Sequence, residues 1–273
     1  MILSGLRKPV DTFVPSLGRL YRLTRDVTNG RRPMPTKFGF SLAGCPPMAK
    51  DGWEVDEIEA FIELMATHDA VVDIGANVGF YSCLAASQGK HTIAFEPSSR
   101  NLNFLYKNLW DNQFLDVEVL PLGLARQSGL GRIYGFSDMA SLVPGWAQAR
   151  NEEFSLIPLT TLDLMLAGRF RNQKLFIKMD VEGYESEVLA GASKTLDLDP
   201  KPTWMVEILL SGETIPGGIS QKFSETFDVF WGHGYQCRML NAERTPVERA
   251  DVSRWVSDGR VESGAKDFLF SAM

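Results

Sequence analysis

The chain has 273 residues, 44% of them apolar and 23% charged, with a net charge of −6. That suits one α/β domain with an added arm, and a core of this size needs no disulfide staples. Cys45, Cys83 and Cys237 are scattered and form no CxxC pair, which argues against a structural zinc site or a disulfide framework and points to a reducing, cytoplasmic setting. No stretch approaches the ~20 apolar residues of a membrane span. Arg7, Lys8, Pro9 and Asp11 interrupt any signal-peptide core.

Charge is unevenly spread. Residues 1–50 carry nine Lys+Arg and two Asp+Glu, and the remainder carries 19 against 32. A basic arm on an acidic body can dock an anionic partner, a membrane surface or the body itself, but the preferred reading is a solvated arm with no partner. No nucleic-acid partner is expected. Pro9, Pro15, Gly30, Pro33, Pro35, Gly39, Gly44, Pro46 and Pro47 make 1–50 an irregular arm. Within it, Leu17, Leu20, Tyr21 and Leu23 predict a short helix over 16–27.

Residues 51–273 form the predicted main domain. Val55, Ile58, Phe61, Ile62 and Met65 recur at helical spacing over 54–66. From residue 70 strands and helices alternate. Strands are predicted at 70–74, 92–95, 117–122, 175–179, 204–208, 235–240 and 268–270, with helices at 80–87, 98–110, 184–196 and 223–231. The pattern implies an α/β fold with a mostly parallel, seven-stranded sheet and helices on both faces. The alternation breaks at 126–157, where Gly129, Gly131, Gly135 and Pro144 punctuate strand-like pieces. This segment reads as an insertion, with a hairpin lying over one edge or over the site.

The first strand runs into Asp73-Ile-Gly-Ala-Asn-Val-Gly79 and then a helix. In open parallel sheets ligands bind beyond the carboxyl ends of the strands. Gly75 lets the backbone turn tightly beside a ligand, Gly79 lets the helix start close to the sheet, and Asp73 places a carboxylate at the strand end. Glu96, 21 residues after Gly75, ends the second strand, where an acid suits both hydroxyls of a ribose. A dinucleotide loop requires GxGxxG, but its second and third glycine positions here are Asn77 and Phe80. S-adenosylmethionine, with a sulfonium and an amino-acid tail but no phosphate, suits an acidic strand end with fewer glycines. A nicotinamide oxidoreductase on a related sheet and a non-catalytic cofactor-binding module are the alternatives.

Several segments resemble the FkbM family of S-adenosylmethionine-dependent methyltransferases. They are Val72-Asp-Ile-Gly-Ala-Asn-Val-Gly79, Phe95-Glu-Pro97, Pro158-Leu-Thr-Thr-Leu-Asp163, Ile177-Lys-Met-Asp-Val-Glu-Gly-Tyr-Glu185, Leu189-Ala-Gly-Ala192 and Glu207. The likeness spans roughly residues 50–240 and implies a Rossmann-like class I methyltransferase fold. It also implies O-methylation, often of a sugar or natural-product hydroxyl. Carried over by position, Asp73, Gly75, Asn77 and Gly79 match the cofactor loop and Glu96 the ribose acid. Gly123 and Leu124 fall where such folds contact adenine, here with backbone in place of a polar side chain.

If the acceptor is a hydroxyl, its proton needs a carboxylate, a histidine or a metal ion. Asp180 and Glu182 follow the strand 175–179 and lead the candidates. Glu182 is equally readable as a first-turn acid favoured by the helix dipole, and for Glu185 that reading is preferred. Lys178 sits in a strand expected to be buried and needs an acidic partner. Glu207 ends the next strand, so Asp180 and Glu207 are candidates for a divalent cation, base or hydrogen-bond role. His68, His91 and His233 fall at the far end of the sheet. Ser141 and Asp138 are candidates to reach the site from the insertion, and Trp146 is a candidate substrate platform, whereas Trp204 and Trp231 read as core.

Overall fold

The computed structural model describes residues 32–135 and 139–272. The helix expected over 16–27 and the candidate Asp138 lie outside them. A hairpin of β1 (Met34–Pro35) and β2 (Ser41–Leu42) comes first. Next are α1 (Val55–Ala66), β3 (Ala70–Ile74), α2 (Phe80–Ser87), β4 (His91–Phe95), α3 (Ser99–Asp111) and β5 (Glu118–Leu120). They are followed by β6 (Gly123–Leu124), β7 (Gly129–Tyr134), β8 (Phe154–Thr160), the one-turn α4 (Leu162–Met165), β9 (Leu175–Met179), α5 (Glu185–Ala190) and α6 (Ser193–Leu196). The chain closes with β10 (Thr203–Glu207), α7 (Phe223–Gly232), β11 (Tyr235–Met239), β12 (Pro246–Val247), α8 (Arg249–Asp258) and β13 (Asp267–Ala272).

The central sheet has the order β12-β11-β13-β10-β9-β3-β4-β5. The five strands from β10 to β5 are mutually parallel, and β13 inserts antiparallel between β10 and β11. All seven expected strands are present. The eighth, β12, is a two-residue edge strand starting at Pro246, a place where a proline's missing N–H removes no ladder bond.

Period-two alternation splits the buried strands between two cores. Val72, Ile74, Ile177, Met179, Trp204 and Val206 pack with Leu189, Phe223, Phe227 and Trp255 on one face. Val71, Phe176 and Met205 pack with Ile58, Phe61, Phe80, Leu84 and Leu105 on the other. Each such side chain contributes roughly 1.5–3 kcal/mol by leaving water. Phe40, Leu42 and Ala43 join the second core. Asn108 fixes them there: its Oδ1 accepts from Ala43 N at 2.8 Å, and its Nδ2 donates to Ala43 O at 3.0 Å and Val78 O at 2.8 Å.

Two expectations fail locally. The strand expected over 117–122 leaves the central sheet after Leu120, and Gly123–Leu124 pairs instead with β8 in a separate sheet of order β6-β8-β7. The single helix expected over 184–196 is two helices. The Asp163 carboxylate accepts from Lys194 N and Thr195 N at 3.0 and 2.8 Å, so it caps a new helix start. At the break, a Cβ on Gly191 would meet Ala125 O at 2.2 Å. Among the described residues no helix is long and apolar enough to cross a membrane.

Candidate active site

On the α1–α3 face of the sheet, the alternation that buries Val71, Phe176 and Met205 places Asp73, Lys178 and Glu207 two positions further along each strand. Asp73 and Lys178 are register partners, and so are Glu207 and Asp267. An apolar face thus turns charged at the carboxyl ends of β3, β9 and β10. A cavity of about 260 Å³ opens there. Gly75, Asn77, Glu96, Gly123, Leu124, Lys178, Asp180, Glu182 and Glu207 line it; the expected loop residues Asp73 and Gly79 do not.

The loop after β3 follows from its backbone. Gly75 and Gly79 have φ of 81° and 90°, and Asn77 adopts φ 53°, which suits an asparagine more than most side chains. A Cβ on Gly75 would stand 1.8 Å from Asp180 O, and one on Gly79 would stand 2.4 Å from Leu105 Cδ1. Gly75 N and Ala76 N both donate to Phe95 O at 2.9 Å, tying the loop to the end of β4. The Glu96 carboxylate accepts from Asn77 N at 2.8 Å and Ser98 N at 2.7 Å, and burial pushes it up to about 7. Ser82 Oγ donates to Asp73 Oδ2 at 2.6 Å. Asp73 Oδ1 and Asn77 Oδ1 are buried with no hydrogen-bond partner.

Deeper in the cavity lies a charged network. Lys178 is buried, with Nζ 3.3 Å from Asp180 Oδ2 and 4.6 Å from the Tyr81 ring centroid. Tyr81 OH donates to Glu54 Oε2 at 2.8 Å. Lys266 Nζ stands 2.8 Å from Glu207 Oε1, 3.6 Å from Asp267 Oδ2 and 3.8 Å from Glu54 Oε1. Burial opposes the charge on Lys178, but Asp180, Asp73, Glu54 and Glu207 outweigh it and raise the ammonium above its ordinary value. Burial also pushes the Asp180 carboxyl up, yet Lys178, a hydrogen bond with Glu207 and Lys266 hold it below the usual range. Glu207 goes the other way: burial, then the charges of Asp180 and Asp267, push it well up. Within this pair Asp180 is the stronger acid and Glu207 the weaker.

Glu182 and Gly183 take successive left-handed conformations, φ 52° and 90°, just beyond β9. The segment from the β7–β8 connection clamps this turn. Ser141 Oγ donates to Glu182 O at 2.6 Å and Trp146 Nε1 donates to Glu182 Oε2 at 2.8 Å. Trp146 is buried, and a Cβ on Gly183 would meet its ring at 2.3 Å. Glu185 Oε1 accepts from Gly183 N at 2.9 Å, closing the helix start.

None of the three histidines lines the cavity. His68 contacts Leu64 O and Thr203 Oγ1, His91 pairs with Glu118, and His233 with Asp197. Among the described residues no cluster of three or more His, Cys, Asp or Glu side chains is arranged to hold a metal ion. Asp180 and Glu207 do come together, each with a lysine ammonium against it. Glu54, Tyr81, Lys266 and Asp267 were not anticipated. A signal existed for the last two: the start of an antiparallel strand beside β10 lies at the same sheet edge as the end of β10.

The strand order, with its reversed strand near one edge and a cavity over the β3 loop, defines a Rossmann-like α/β fold. The family model described as the Methyltransferase FkbM domain matches residues 73–237, more than half of the chain. The chain belongs to the FkbM methyltransferase family. It is similar to the hexuronic acid methyltransferase AglP of Haloferax volcanii, 27% identical over 143 residues, which cover 52% of this chain and 58% of that protein. The chain thus spans a little over half the length of that curated relative. Among solved structures, it is similar to Methyltransferase FkbM from Methylobacillus flagellatus KT, at a TM-score of 0.45 and 19% identity, covering 74% of this chain and 43% of the other. The precorrin-6y C5,15-methyltransferase of Geobacter metallireducens GS-15 aligns at a TM-score of 0.44 and 11% identity, covering 84% and 94%.

Proposed function

We propose that this chain methylates a hydroxyl on a sugar or natural-product acceptor, with S-adenosylmethionine as donor. The observation that carries the reading is one cavity joining the β3 loop and Glu96 to the Asp180 carboxyl just beyond β9. The match to the FkbM methyltransferase domain supports the donor, and the name of the hexuronic acid relative supports a sugar acceptor.

The residues present fit the donor. Gly75 leaves the loop backbone bare, Asp73 Oδ1 and Asn77 Oδ1 are buried and still lack partners, and Glu96 turns a carboxylate toward the cavity. In this reading Asp73, Gly75, Asn77 and Gly79 shape the bed of the methionine portion, Glu96 takes the ribose hydroxyls, and Gly123 and Leu124 wall the adenine. The bound donor supplies an electrophilic methyl carbon. Asp180 accepts the proton of the attacking hydroxyl as the oxygen–carbon bond forms and the carbon–sulfur bond breaks. Lys178 keeps Asp180 ionised and fixed, Glu207 hydrogen-bonds it from the neighbouring strand, and Glu182 with Trp146 holds the turn beyond it.

Replacing Asp180 by Asn should lower turnover by about 10²-fold or more, the scale of losing a positioned base, and leave S-adenosylhomocysteine binding unchanged. Incubating purified protein with methyl-labelled donor and an acceptor panel, with and without chelator, checks both the activity and any role for a cation. Full turnover in D180N removes Asp180 from the chemistry, and transfer to no hydroxyl removes the reading.

Glu96 yields a second test. Its carboxyl, pushed up to about 7 by burial, is largely protonated in the free protein at mildly acid pH. Two donating hydroxyls favour the ionised form, so its pKa falls on binding. S-adenosylhomocysteine binding at about pH 6.5 should then release a fraction of a proton. Calorimetric enthalpies should differ between buffers of different ionisation heat, and E96Q should abolish that difference. Buffer-independent enthalpies would remove Glu96 from the ribose.

A further inference from the structure

We infer that the acceptor end of this cavity takes a sugar or polyol that carries no carboxylate, methylating neutral hexosides and rejecting the matching uronic acids. The inference rests on the methyl-transfer reading above and concerns what the same site admits.

The ground is the pairing of the cavity's charges. Among the described residues lining it, the cationic side chains are Lys178 and Lys266. Both are committed. Lys178 pairs with Asp180 at 3.3 Å. Lys266 bonds Glu207 at 2.8 Å, with Asp267 at 3.6 Å and Glu54 at 3.8 Å. Glu54, Asp180 and Glu207 lie on the same wall, so carboxyls outnumber ammoniums even before Asp267 is counted.

An incoming carboxylate finds no unpaired ammonium in this wall. To pair with Lys266 it must displace Glu207 or Asp267, leaving a desolvated carboxyl behind, and it must still sit near Asp180. A hydroxyl meets no such conflict, because it donates to a carboxylate and accepts from an ammonium at the same time. The sulfonium of the donor, a single positive charge, offsets part of the surplus and leaves no place for a further anion. A specificity of this kind works by repulsion of the wrong partner rather than attraction of the right one. It sets this chain apart from its relative named for a hexuronic acid.

The test has two arms. The first measures methyl transfer to gluco-, galacto- and manno-configured methyl glycosides. Each is offered as the C6 alcohol, the C6 carboxamide and the C6 carboxylate, so that shape is held while charge changes. In every series that turns over, the alcohol and carboxamide should exceed the carboxylate in kcat/KM by about tenfold or more, the direction that like-charge juxtaposition dictates. Glu54→Gln should narrow that ratio by lifting the carboxylate. A carboxylate used as well as its neutral partners overturns the inference and leaves the methyl-transfer reading standing.

The second arm needs no turnover. Trp53 lines the cavity, so its fluorescence, taken as the difference between the chain and W53F, reports the charge that a small solute meets. Relative to a free tryptophan amide, iodide should quench Trp53 several-fold less than acrylamide does, and caesium should not be excluded. Iodide quenching that matches acrylamide overturns the inference. If none of the glycosides is methylated while the donor analogue binds, the sugar reading fails, and the quenching ratio alone decides the charge of the site.

Discussion

Gly75→Ala should be the most damaging glycine-to-alanine change among the described residues. Its Cβ would lie 1.8 Å from Asp180 O, a backbone atom that cannot rotate away. The clash joins the ends of β3 and β9, adjacent strands held in parallel register from Ala70↔Leu175 to Ile74↔Met179. Relief requires the two strand ends to part, which also breaks the bond from Asp180 N to Ile74 O at 3.0 Å. The φ of 81° adds the cost of a side chain in the left-handed region. Together, left-handed strain and overpacking predict a loss of about 3 kcal/mol or more, read as the shift in urea unfolding midpoint. Gly89→Ala is the control. Its φ is 69°, but nothing lies within 4 Å of its added Cβ, so only the conformational cost of about 1 kcal/mol applies. Equal losses for the two variants would show that the close approach of loop and β9 does not matter. G75A should also abolish S-adenosylhomocysteine binding, since the loop that moves is the one proposed to bed the donor.

The parallel half of the sheet was legible because both of its faces are covered. A doubly buried strand reads as a short apolar run, and Val71–Val72 and Phe176–Ile177 are such runs. The departures depend on contacts distant in sequence. The break between α5 and α6 comes from the Asp163 carboxylate, 31 residues before Lys194, and from the close approach of Ala125 O to Gly191. No local periodicity encodes either. The diversion of Gly123–Leu124 into a second sheet likewise depends on β8 being there to pair with it.

The candidate site divides along the same line. Asp73, Lys178, Asp180 and Glu207 were found because strand ends of a parallel sheet face one edge, so position along the chain gives position in space. Glu54 was missed because it precedes a helix rather than ending a strand. It stands at the helix N-cap with φ 40°, and only the fold turns it toward Lys266 and the Tyr81 hydroxyl. Tyr81 falls within the helix expected over 80–87, and nothing in its spacing marks that its ring lies under the Lys178 ammonium. The clamp on Glu182 by Ser141 and Trp146 links segments about 40 residues apart. Nothing in the local sequence of Ser141 or Trp146 names Glu182 as their partner.

Lys178→Met should be the most informative change within the charged network. The methionine keeps most of the aliphatic stem but ends one atom short, so what is lost is the ammonium and its contact with the Tyr81 ring. Asp180 then loses the closest cation holding it ionised, and Asp73, already pushed up by burial, loses the first of the groups that oppose that push. Breaking a buried pair by removing one partner costs about 3–5 kcal/mol near neutral pH. The sign of the pH dependence follows. In the unaltered chain the Asp180 pKa lies below its unfolded value, so its stabilising contribution is present above that unfolded value and fades as pH falls through the folded one. In the variant, Asp180 and Asp73 titrate above their unfolded values, so their penalty is absent at acid pH and grows as pH rises through the new values. The stability gap between the two proteins should therefore be large at about pH 8 and shrink on going to about pH 5. Urea titrations at several pH values read it directly. A gap that is constant with pH would mean that the lysine stabilises by packing alone, and that Asp180 does not depend on it for its charge.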